Sequence, residues 1–386
     1  MSQTETVDSP TLQSVEEPLQ RLLSWEPTTL PVISLYLNTQ ADARGRDQYE
    51  GFLRKELATR VKTWETGTEE RKSLDADIER IHAWLENELA PSANGVALFA
   101  CSGAGLWEAV QLNVPLDGHR LYIYNQPHLY HLTRLDDEYP RYAALLTDAN
   151  SARIFVFGLG QTIDTEQVKG KKVHRVKVGG WSQARYQRRV ENAHQSHAKE
   201  VVEVLDRLVR EEGIKHILLT GEPQMMTVLQ GEMPKHLADK VVDVLRLDLK
   251  SSDQEVFETT LQRMREEDAR SDADKVERMM VQYRARGLAC VGPEDTLAAL
   301  ANGQVDEVLI SANLEQEHAE PESVEAVLAP EIPDSEGGTE SDEPRQVLLA
   351  DLLVTRAGQT DAHVTFIEDP ELLSEVGGVG AFLRWR

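Results

Sequence analysis

The strongest constraint on the fold is a long run of apolar residues at helical spacing in the middle of the chain. Its members recur every three or four residues: Tyr186, Val190, Ala193, His197, Val201, Leu205 and Leu208. This spacing puts them on one face of an amphipathic helix, and Gly213 supplies a common helix terminator. Runs rich in β-branched and apolar residues flank the helix on both sides. Strands that alternate with helices predict an α/β fold with mixed sheets.

The chain is too long for one hydrophobic core, because 386 residues exceed the usual size of a single domain. We predict an N-terminal α/β domain over residues 1–138, with strands at Leu30–Asn38, Gly95–Cys101 and Leu106–Leu112 behind a weakly ordered region before Trp25. A central domain over 139–252 holds a hairpin, Tyr142–Thr147 with Ala152–Phe157, and the long helix. A C-terminal α/β domain over 253–386 completes the chain.

An acidic segment interrupts the third predicted domain. Residues 315–344 contain eleven Asp/Glu and no Lys/Arg, with Pro, Ser and Gly between them. Such a segment buries too little apolar surface to offset its chain entropy, so we predict a disordered insertion. A solvated loop is the simpler interpretation, and an internal mimic of phosphate that covers a basic surface is the alternative.

One segment has the opposite charge to the rest of the chain. The formal net charge is −25, yet Lys169–Arg189 carries eight Lys/Arg and no Asp/Glu around the pair Gly179-Gly180. An acidic chain repels phosphate over most of its surface, so this segment is where a polyanion such as RNA can approach.

The remaining composition excludes several classes of protein. Cys101 and Cys290 are the only cysteines and lack zinc-type spacing, and no apolar run of about 18 residues is present. We therefore expect a cytoplasmic protein without a membrane partner. Ser102–Gly105 and Gly377–Gly380 are rich in glycine but complete no nucleotide-binding motif, so no cofactor is expected.

Several residues have a plain structural interpretation beside a functional one. Gly179-Gly180 can be a simple turn, Gln183 a residue at a helix start, and Trp181 an anchor on its own domain. The arginines from Arg185 to Arg189 can form a solvated helix face. His194 and His197 lie three residues apart, but no third ligand accompanies them, which favours helix surface or packing over a metal site.

Three collinear motifs resemble the archaeal and eukaryotic class I peptide-chain release factors, a superfamily that includes Pelota. The family order of hairpin, basic Gly-Gly-Gln loop and long helix is matched by Ala143–Phe157, Lys169–Gln183 and Ala184–Glu212. The stretches Val291–Ile310 and Glu375–Arg384 are similar to the family's third domain, a fold of the kink-turn-binding ribosomal protein type. The acidic segment falls where the family tolerates an extra minidomain.

The resemblance implies a protein that acts on the ribosome, with ribosomal RNA and peptidyl-tRNA as partners. It leaves open whether a translational GTPase is a further partner. The implied catalytic residues for hydrolysis of the peptidyl-tRNA ester are Gly179, Gly180 and Gln183. The implied RNA-binding residues share positive charge or an aromatic ring, and they are Lys169, Lys171, Lys172, Arg175, Lys177, Trp181, Arg185, Arg188 and Arg189.

The chain departs from the family at two points. In the family the glutamine directly follows the glycine pair, whereas Trp181 occupies that place here and the nearest glutamine is Gln183. The motif Asn-Ile-Lys-Ser, associated in the family with reading stop codons, is absent from the first predicted domain. The sequence therefore gives no support to codon-specific termination.

Three hypotheses follow from the sequence. The first is a release or rescue factor that hydrolyses peptidyl-tRNA on terminating or stalled ribosomes. The second is a non-catalytic binder of the ribosomal A site, similar to Pelota, in rescue or protection. The third is a stress-related interaction protein that has kept the fold without a role on the ribosome.

Overall fold

A computed structural model describes residues 15–41, 49–158, 161–169, 181–314 and 343–386. Three mixed or antiparallel sheets with flanking helices confirm the predicted α/β fold class. The chain divides into two compact units. The terminal unit joins the residues up to Glu138 with those from Ser271 onward, and the central unit runs from Tyr139 to Arg270. The division into three domains at 138/139 and 252/253 stays a prediction.

The terminal unit begins with helix α1, Glu16–Leu23. The weak order predicted before Trp25 is wrong for this helix, because Leu19 and Leu22 are buried. The sheet that follows consists of β1 (Val32–Asn38), β2 (Gly95–Cys101), β3 (Leu106–Leu112) and β4 (Arg120–Tyr124), in the order β3-β2-β1-β4 and antiparallel throughout.

Helices α2 (Tyr49–Arg60) and α3 (Glu69–Asn87) cover one face of this sheet, and α4 (Tyr130–Glu138) follows it in the chain. Apolar side chains of β1 and β2, such as Leu35 and Leu98, pack against Leu53 and Leu74 of the two helices. All four are buried, so this layer supplies the main hydrophobic stabilisation of the sheet.

A buried carboxylate fixes the turn between β2 and β3. Asp77 of α3 accepts hydrogen bonds from the backbone N–H of Ser102, at 2.8 Å, and from its hydroxyl, while its second oxygen has no partner. Burial raises the pKa of Asp77 against the opposing effect of the Ser102 hydrogen bonds. The folded chain therefore holds this proton more tightly than the unfolded chain, so this group adds stability as the pH falls through the raised pKa.

We expect Asp77→Ala to lower the free energy of unfolding by about 1–3 kcal/mol at neutral pH, because the two Ser102 donors lose their buried acceptor. Asp77→Asn keeps an acceptor oxygen and removes the charge, so it should lose less stability and should flatten the pH dependence. Urea unfolding at pH 5 and pH 8 measures both effects. Equal losses in the two variants would show that the Ser102 hydrogen bonds do not hold the turn.

The central unit is built on a five-stranded sheet in the order β7-β6-β5-β8-β9. Its strands are β5 (Tyr142–Thr147), β6 (Ser151–Gly158), β7 (Gln161–Lys169), β8 (His216–Gly221) and β9 (Val241–Leu245). The predicted hairpin is confirmed as the antiparallel pair β5–β6, and β7 extends it on one side. On the other side β5, β8 and β9 are parallel.

The helices of the central unit are α5 (Trp181–Glu211), α6 (Pro223–Glu232), α7 (Lys235–Ala238) and the first part of α8 (Asp253–Arg284). Gly213 has φ +63° just beyond α5, which confirms the predicted glycine terminator. Gly221 ends β8 with φ +156°, and a Cβ atom there would lie 2.1 Å from the carbonyl oxygen of Thr147 on β5. Only glycine lets the two strand ends approach this closely.

The terminal unit continues with the rest of α8 and a second sheet in the order β10-β13-β11-β12. The strands are β10 (Ala289–Val291), β11 (Val305–Ser311), β12 (His363–Ile367) and β13 (Val379–Leu383), and only the pair β11–β12 is parallel. Helices α9 (Pro293–Ala301), α10 (Glu343–Gln359) and α11 (Glu371–Ser374) connect them.

The predicted acidic insertion lies outside the described residues as far as position 342, and its last two residues, Glu343 and Pro344, form the start of α10. Within the described part of the chain, no helix combines the length and the apolar character needed to cross a membrane.

Candidate functional site

The long helix α5 is anchored along only part of its length. It contains 31 residues and is therefore about 46 Å long. Among its described side chains, from residue 187 onward, the buried ones begin at His197, and the core stripe of Val201, Leu205 and Leu208 packs on the sheet of the central unit. No residue from 187 to 196 is buried. We term the sixteen residues from 181 to 196 the helical arm; it spans about 24 Å, and its described side chains, those of residues 187–196, contribute nothing to the core.

The predicted apolar face of α5 is not buried along the arm. Val190 and Ala193 are half-exposed, although their spacing predicted that they would be buried with Leu205. These two residues are uncovered because α5 is much longer than the strands beneath it. Strand β5 has six residues and spans about 20 Å, less than half the length of α5. A helix that is longer than the strands beneath it leaves its remaining apolar residues uncovered.

The opposite end of α5 is tied down by polar contacts. Asp206 lies 2.7 Å from Nε2 of His236 on α7 and also pairs with Arg210, and these partners, with the His236 hydrogen bond foremost, lower the pKa of the Asp206 carboxyl. Arg207 pairs with Glu166 of β7 and lies 2.8 Å from Glu211. These contacts fix the C-terminal half of the helix against both α7 and the sheet.

The structure describes only some of the predicted site residues. Lys169 is the exposed last residue of β7, and Arg188 and Arg189 are exposed on the arm. Trp181, Gln183 and Arg185 belong to its first two turns, and their side chains lie outside the described residues. The other predicted residues also lie outside the described part of the chain, and they are Lys171, Lys172, Arg175, Lys177, Gly179 and Gly180.

The histidines of α5 differ in their surroundings. His197 is buried, with no hydrogen-bond partner on either ring nitrogen, whereas His194 is half-exposed. Among the described residues, no group of three or more His, Cys, Asp or Glu side chains is placed to hold a metal ion.

Charge is distributed unequally between the two units. The central unit contains 21 of the 41 Lys/Arg but only 20 of the 66 Asp/Glu, so it is close to neutral. The rest of the chain carries essentially the whole net charge of −25. A surface that contacts a polyanion is therefore electrostatically permitted on the central unit and disfavoured elsewhere.

The terminal unit contains a groove that no sequence pattern indicated. The groove has a volume of about 600 Å³ and is lined by apolar and polar side chains from α8, the turn after it, β11 and β13: Glu277, Arg278, Val281, Gln282, Leu288, Asp306, Glu307, Phe382 and Leu383. Val281 is 55% exposed and Leu288 43% exposed, values that are unusual for large apolar residues. Its residues are spread over more than a hundred positions, so no local pattern could have indicated it.

Comparison with known families accounts for the order of these elements. Residues 127–265 match a sequence model described as bacterial archaeo-eukaryotic release factor family 10, and residues 269–386 match eRF1 domain 3. The two matches are adjacent and follow the order of the release factors. The chain is a bacterial archaeo-eukaryotic release factor-like protein. The resemblance inferred from the sequence motifs is thereby confirmed.

Individual relatives of this release factor-like protein are distant. It is 27% identical over 338 residues to peptide chain release factor subunit 1 of Methanocaldococcus jannaschii, covering 81% of this chain and 77% of that protein. It is 25% identical over 224 residues to the uncharacterized protein YocB of Bacillus subtilis, covering 54% of this chain and 85% of YocB. Among solved structures it is similar to S. cerevisiae Dom34, with 9% identity, a TM-score of 0.41 and coverage of 76% and 86%.

The two family matches cover different parts of the described structure. The family 10 match spans α4, the central sheet, the arm and the start of α8, while the eRF1 domain 3 match spans the sheet β10–β13 and the groove. The release factor-like protein thus carries its arm in one matched segment and its groove in the other.

Proposed function

We propose that this protein is a ribosome-associated release or rescue factor that hydrolyses peptidyl-tRNA. The observation that supports the proposal best is the helical arm, whose first residue, Trp181, directly follows Gly179-Gly180 in the sequence. Peptidyl-tRNA is held deep within ribosomal RNA, so a factor that reaches it needs a narrow projection. An arm about 24 Å long, with no buried side chain from residue 187 to residue 196, meets that need.

Electrostatics support the same use of the arm. Arg188 and Arg189 are exposed beside the basic segment and have no described carboxylate partner. Phosphates displace counterions from such residues, which supplies affinity that does not depend on RNA sequence. The acidic terminal unit would be repelled by the same RNA, so contact through the central unit is favoured.

The residues of the segment supply the chemistry that the reaction needs. A water molecule attacks the carbonyl carbon of the ester between peptide and tRNA, and the products are a free peptide and a tRNA with a free hydroxyl. Gly179 and Gly180 let backbone N–H groups come close to the developing oxyanion, and Gln183 orients the water without titrating. Trp181 stacks on an unpaired base, and the Lys/Arg residues hold the RNA in place.

Release of a labelled nascent peptide from purified stalled ribosomes tests the proposal. The wild-type chain is expected to bind these ribosomes and to release peptide at a rate above that of the spontaneous reaction. Binding without release would favour a non-catalytic A-site binder. Failure to co-sediment with ribosomes at low salt would favour an interaction protein with no ribosomal role.

We expect the double substitution of Arg188 and Arg189 by Glu to weaken ribosome binding by at least about tenfold at physiological salt. Two lost phosphate contacts should also reduce the slope of log affinity against log salt by about 2. Lys215→Glu with Lys250→Glu is the matched control, since both lysines are exposed in the central unit outside the arm. Equal weakening in both variants would mean that only net charge matters.

The groove is the surface that we assign to a protein partner, of the translational GTPase class that the family resemblance suggests. Exposed apolar side chains in a concave surface with a charged rim are typical of protein interfaces. Val281 and Leu288 provide the apolar part, and Glu277 and Arg278 lie beside them.

We expect Val281→Asp to weaken binding of such a partner about 100-fold, because a desolvated carboxylate would replace an apolar contact. Ile163→Asp is the matched control, since Ile163 is 39% exposed on β7 of the central unit. Titration calorimetry of each variant with a candidate GTPase gives the affinity. An unchanged affinity for Val281→Asp would remove the groove from the binding surface.

A further inference from the structure

Two sheets of the terminal unit meet at a joint formed by α4 and the residues just before it. On one side, the backbone N–H of His128 donates to the hydroxyl of Ser34 on β1 at 2.9 Å, and the hydroxyl of Tyr36 donates to the carbonyl of His128 at 2.6 Å. On the other side, the backbone N–H of Leu129 donates to Asp351 of α10 at 2.6 Å. His128 and Leu129 therefore connect the first sheet to α10.

Further contacts tie α4 to the strands of the second sheet. The Tyr130 hydroxyl donates to the carbonyl of Ala312 at 2.9 Å, and the backbone N–H of Phe366 on β12 donates to Asp137 at 2.9 Å. The ring of Tyr130 also packs edge-on against that of Phe366, with centroids 5.3 Å apart. Apolar side chains accompany these polar contacts, because Leu129, Leu132 and Leu353 are also buried.

The joint concentrates buried polar atoms that have no hydrogen-bond partner. The described part of the chain contains ten such side-chain atoms, and six belong to segments that form the joint: both ring nitrogens of His128, the hydroxyls of Thr133, Ser311 and Thr355, and Nε of Arg134. Nδ1 of His128 lies 3.5 Å from the Asp351 carboxylate, beyond hydrogen-bond distance, and both side chains are almost fully buried.

Buried polar atoms without partners raise the free energy of the closed joint, and water would satisfy them if the joint opened. Unfolding either sheet would break the contacts of the joint as well, and it would also expose the apolar layer of that sheet and break its strand hydrogen bonds. The free energy needed to separate the sheets at the joint is therefore smaller than that needed to unfold either sheet.

We propose that the joint is a reversible latch, closed by Asp351, through which the two sheets of the terminal unit separate while each stays folded. Opening of the latch would change the distance between the first sheet and the groove without changing the structure of the sheet or of the groove. The latch is a property of the terminal unit and does not depend on the function proposed above.

Native-state hydrogen exchange tests the latch because two backbone amides report on it directly. In the wild-type chain the amides of Leu129 and Phe366 should exchange through one shared opening, at least about tenfold faster than those of Leu35 and Leu309 in the central strands of the two sheets. Exchange of all four amides at one rate, with one denaturant dependence, would overturn the proposal.

Two substitutions with opposite expected effects sharpen the test. Asp351→Ala should speed exchange at Phe366, which is not bonded to Asp351, by about tenfold or more, and leave Leu35 and Leu309 unchanged. Thr355→Val replaces an unpartnered hydroxyl by a methyl of the same shape, so it should slow exchange at Phe366.

An effect of Asp351→Ala confined to Leu129, or faster exchange in Thr355→Val, would contradict the latch. Asp351→Asn keeps an acceptor for the Leu129 amide and serves if the alanine variant does not fold. It should then give a smaller increase at Phe366 in the same direction, and no increase would count against the proposal.

Discussion

Gln183→Ala is expected to lower the rate of peptide release about 100-fold while ribosome binding stays within about twofold of wild type. The loss of one positioned group that acts on the reacting atoms typically costs this much. Binding is expected to survive because it rests on the many phosphate contacts of the basic segment. Single-turnover release from stalled ribosomes, with binding measured separately by co-sedimentation, distinguishes the two effects.

Gln187→Ala is the matched control, since Gln187 is exposed one turn further along the same helix. It should release peptide at the wild-type rate. Replacing Gly179 and Gly180 by alanine should also reduce release, because a Cβ atom keeps the backbone amides away from the ester. If Gln183→Ala and Gln187→Ala are both as active as wild type, Gln183 has no part in the reaction.

Much of the fold could be predicted from local sequence patterns. The hairpin β5–β6 and the strands β2 and β3 follow from their apolar and β-branched runs, and α5 follows from its apolar periodicity and Gly213. The bounds of β2 and β3 agree with the prediction at both ends. Such elements are determined by residues that are close together in the sequence, so a local pattern is enough to indicate them.

What escaped prediction depends on contacts between distant residues. Helix α1 is short and stands before Trp25 in a polar context, and its burial depends on the elements that pack over Leu19 and Leu22. The latch joins His128 to Asp351 across more than two hundred residues. The catalytic assignment of Gly179, Gly180 and Gln183 likewise stays a prediction.

The arm itself could not be predicted, although its residues could. Periodicity from Tyr186 to Leu208 indicates one continuous amphipathic face, but it contains no information about how far the sheet beneath extends. From residue 187 onward burial begins only at His197, so a single helix serves as a core element at one end and as a projection at the other. This division has a direct experimental consequence.

Ala193→Pro is expected to abolish peptide release, by at least about 100-fold, while the melting temperature of the protein changes little. Proline removes a backbone donor and clashes with the preceding turn, so it kinks or ends the helix within the arm. The reacting residues would then be displaced by several ångströms, and even about 1 Å of misplacement is costly in catalysis. The core is spared because no residue from 187 to 196 is buried.

The contrast with a proline in the anchored half of the same helix makes this prediction specific to the arm. Ala198 is fully buried on α5, so Ala198→Pro should destabilise the whole central unit and lower the melting temperature sharply. Ala193→Ser, which leaves the helix intact, should retain nearly full release activity. If Ala193→Pro lowers the melting temperature as much as Ala198→Pro does, the first half of α5 belongs to the core. If it instead leaves peptide release intact, the reaction does not require a rigid arm, and the reach of α5 is then unrelated to function.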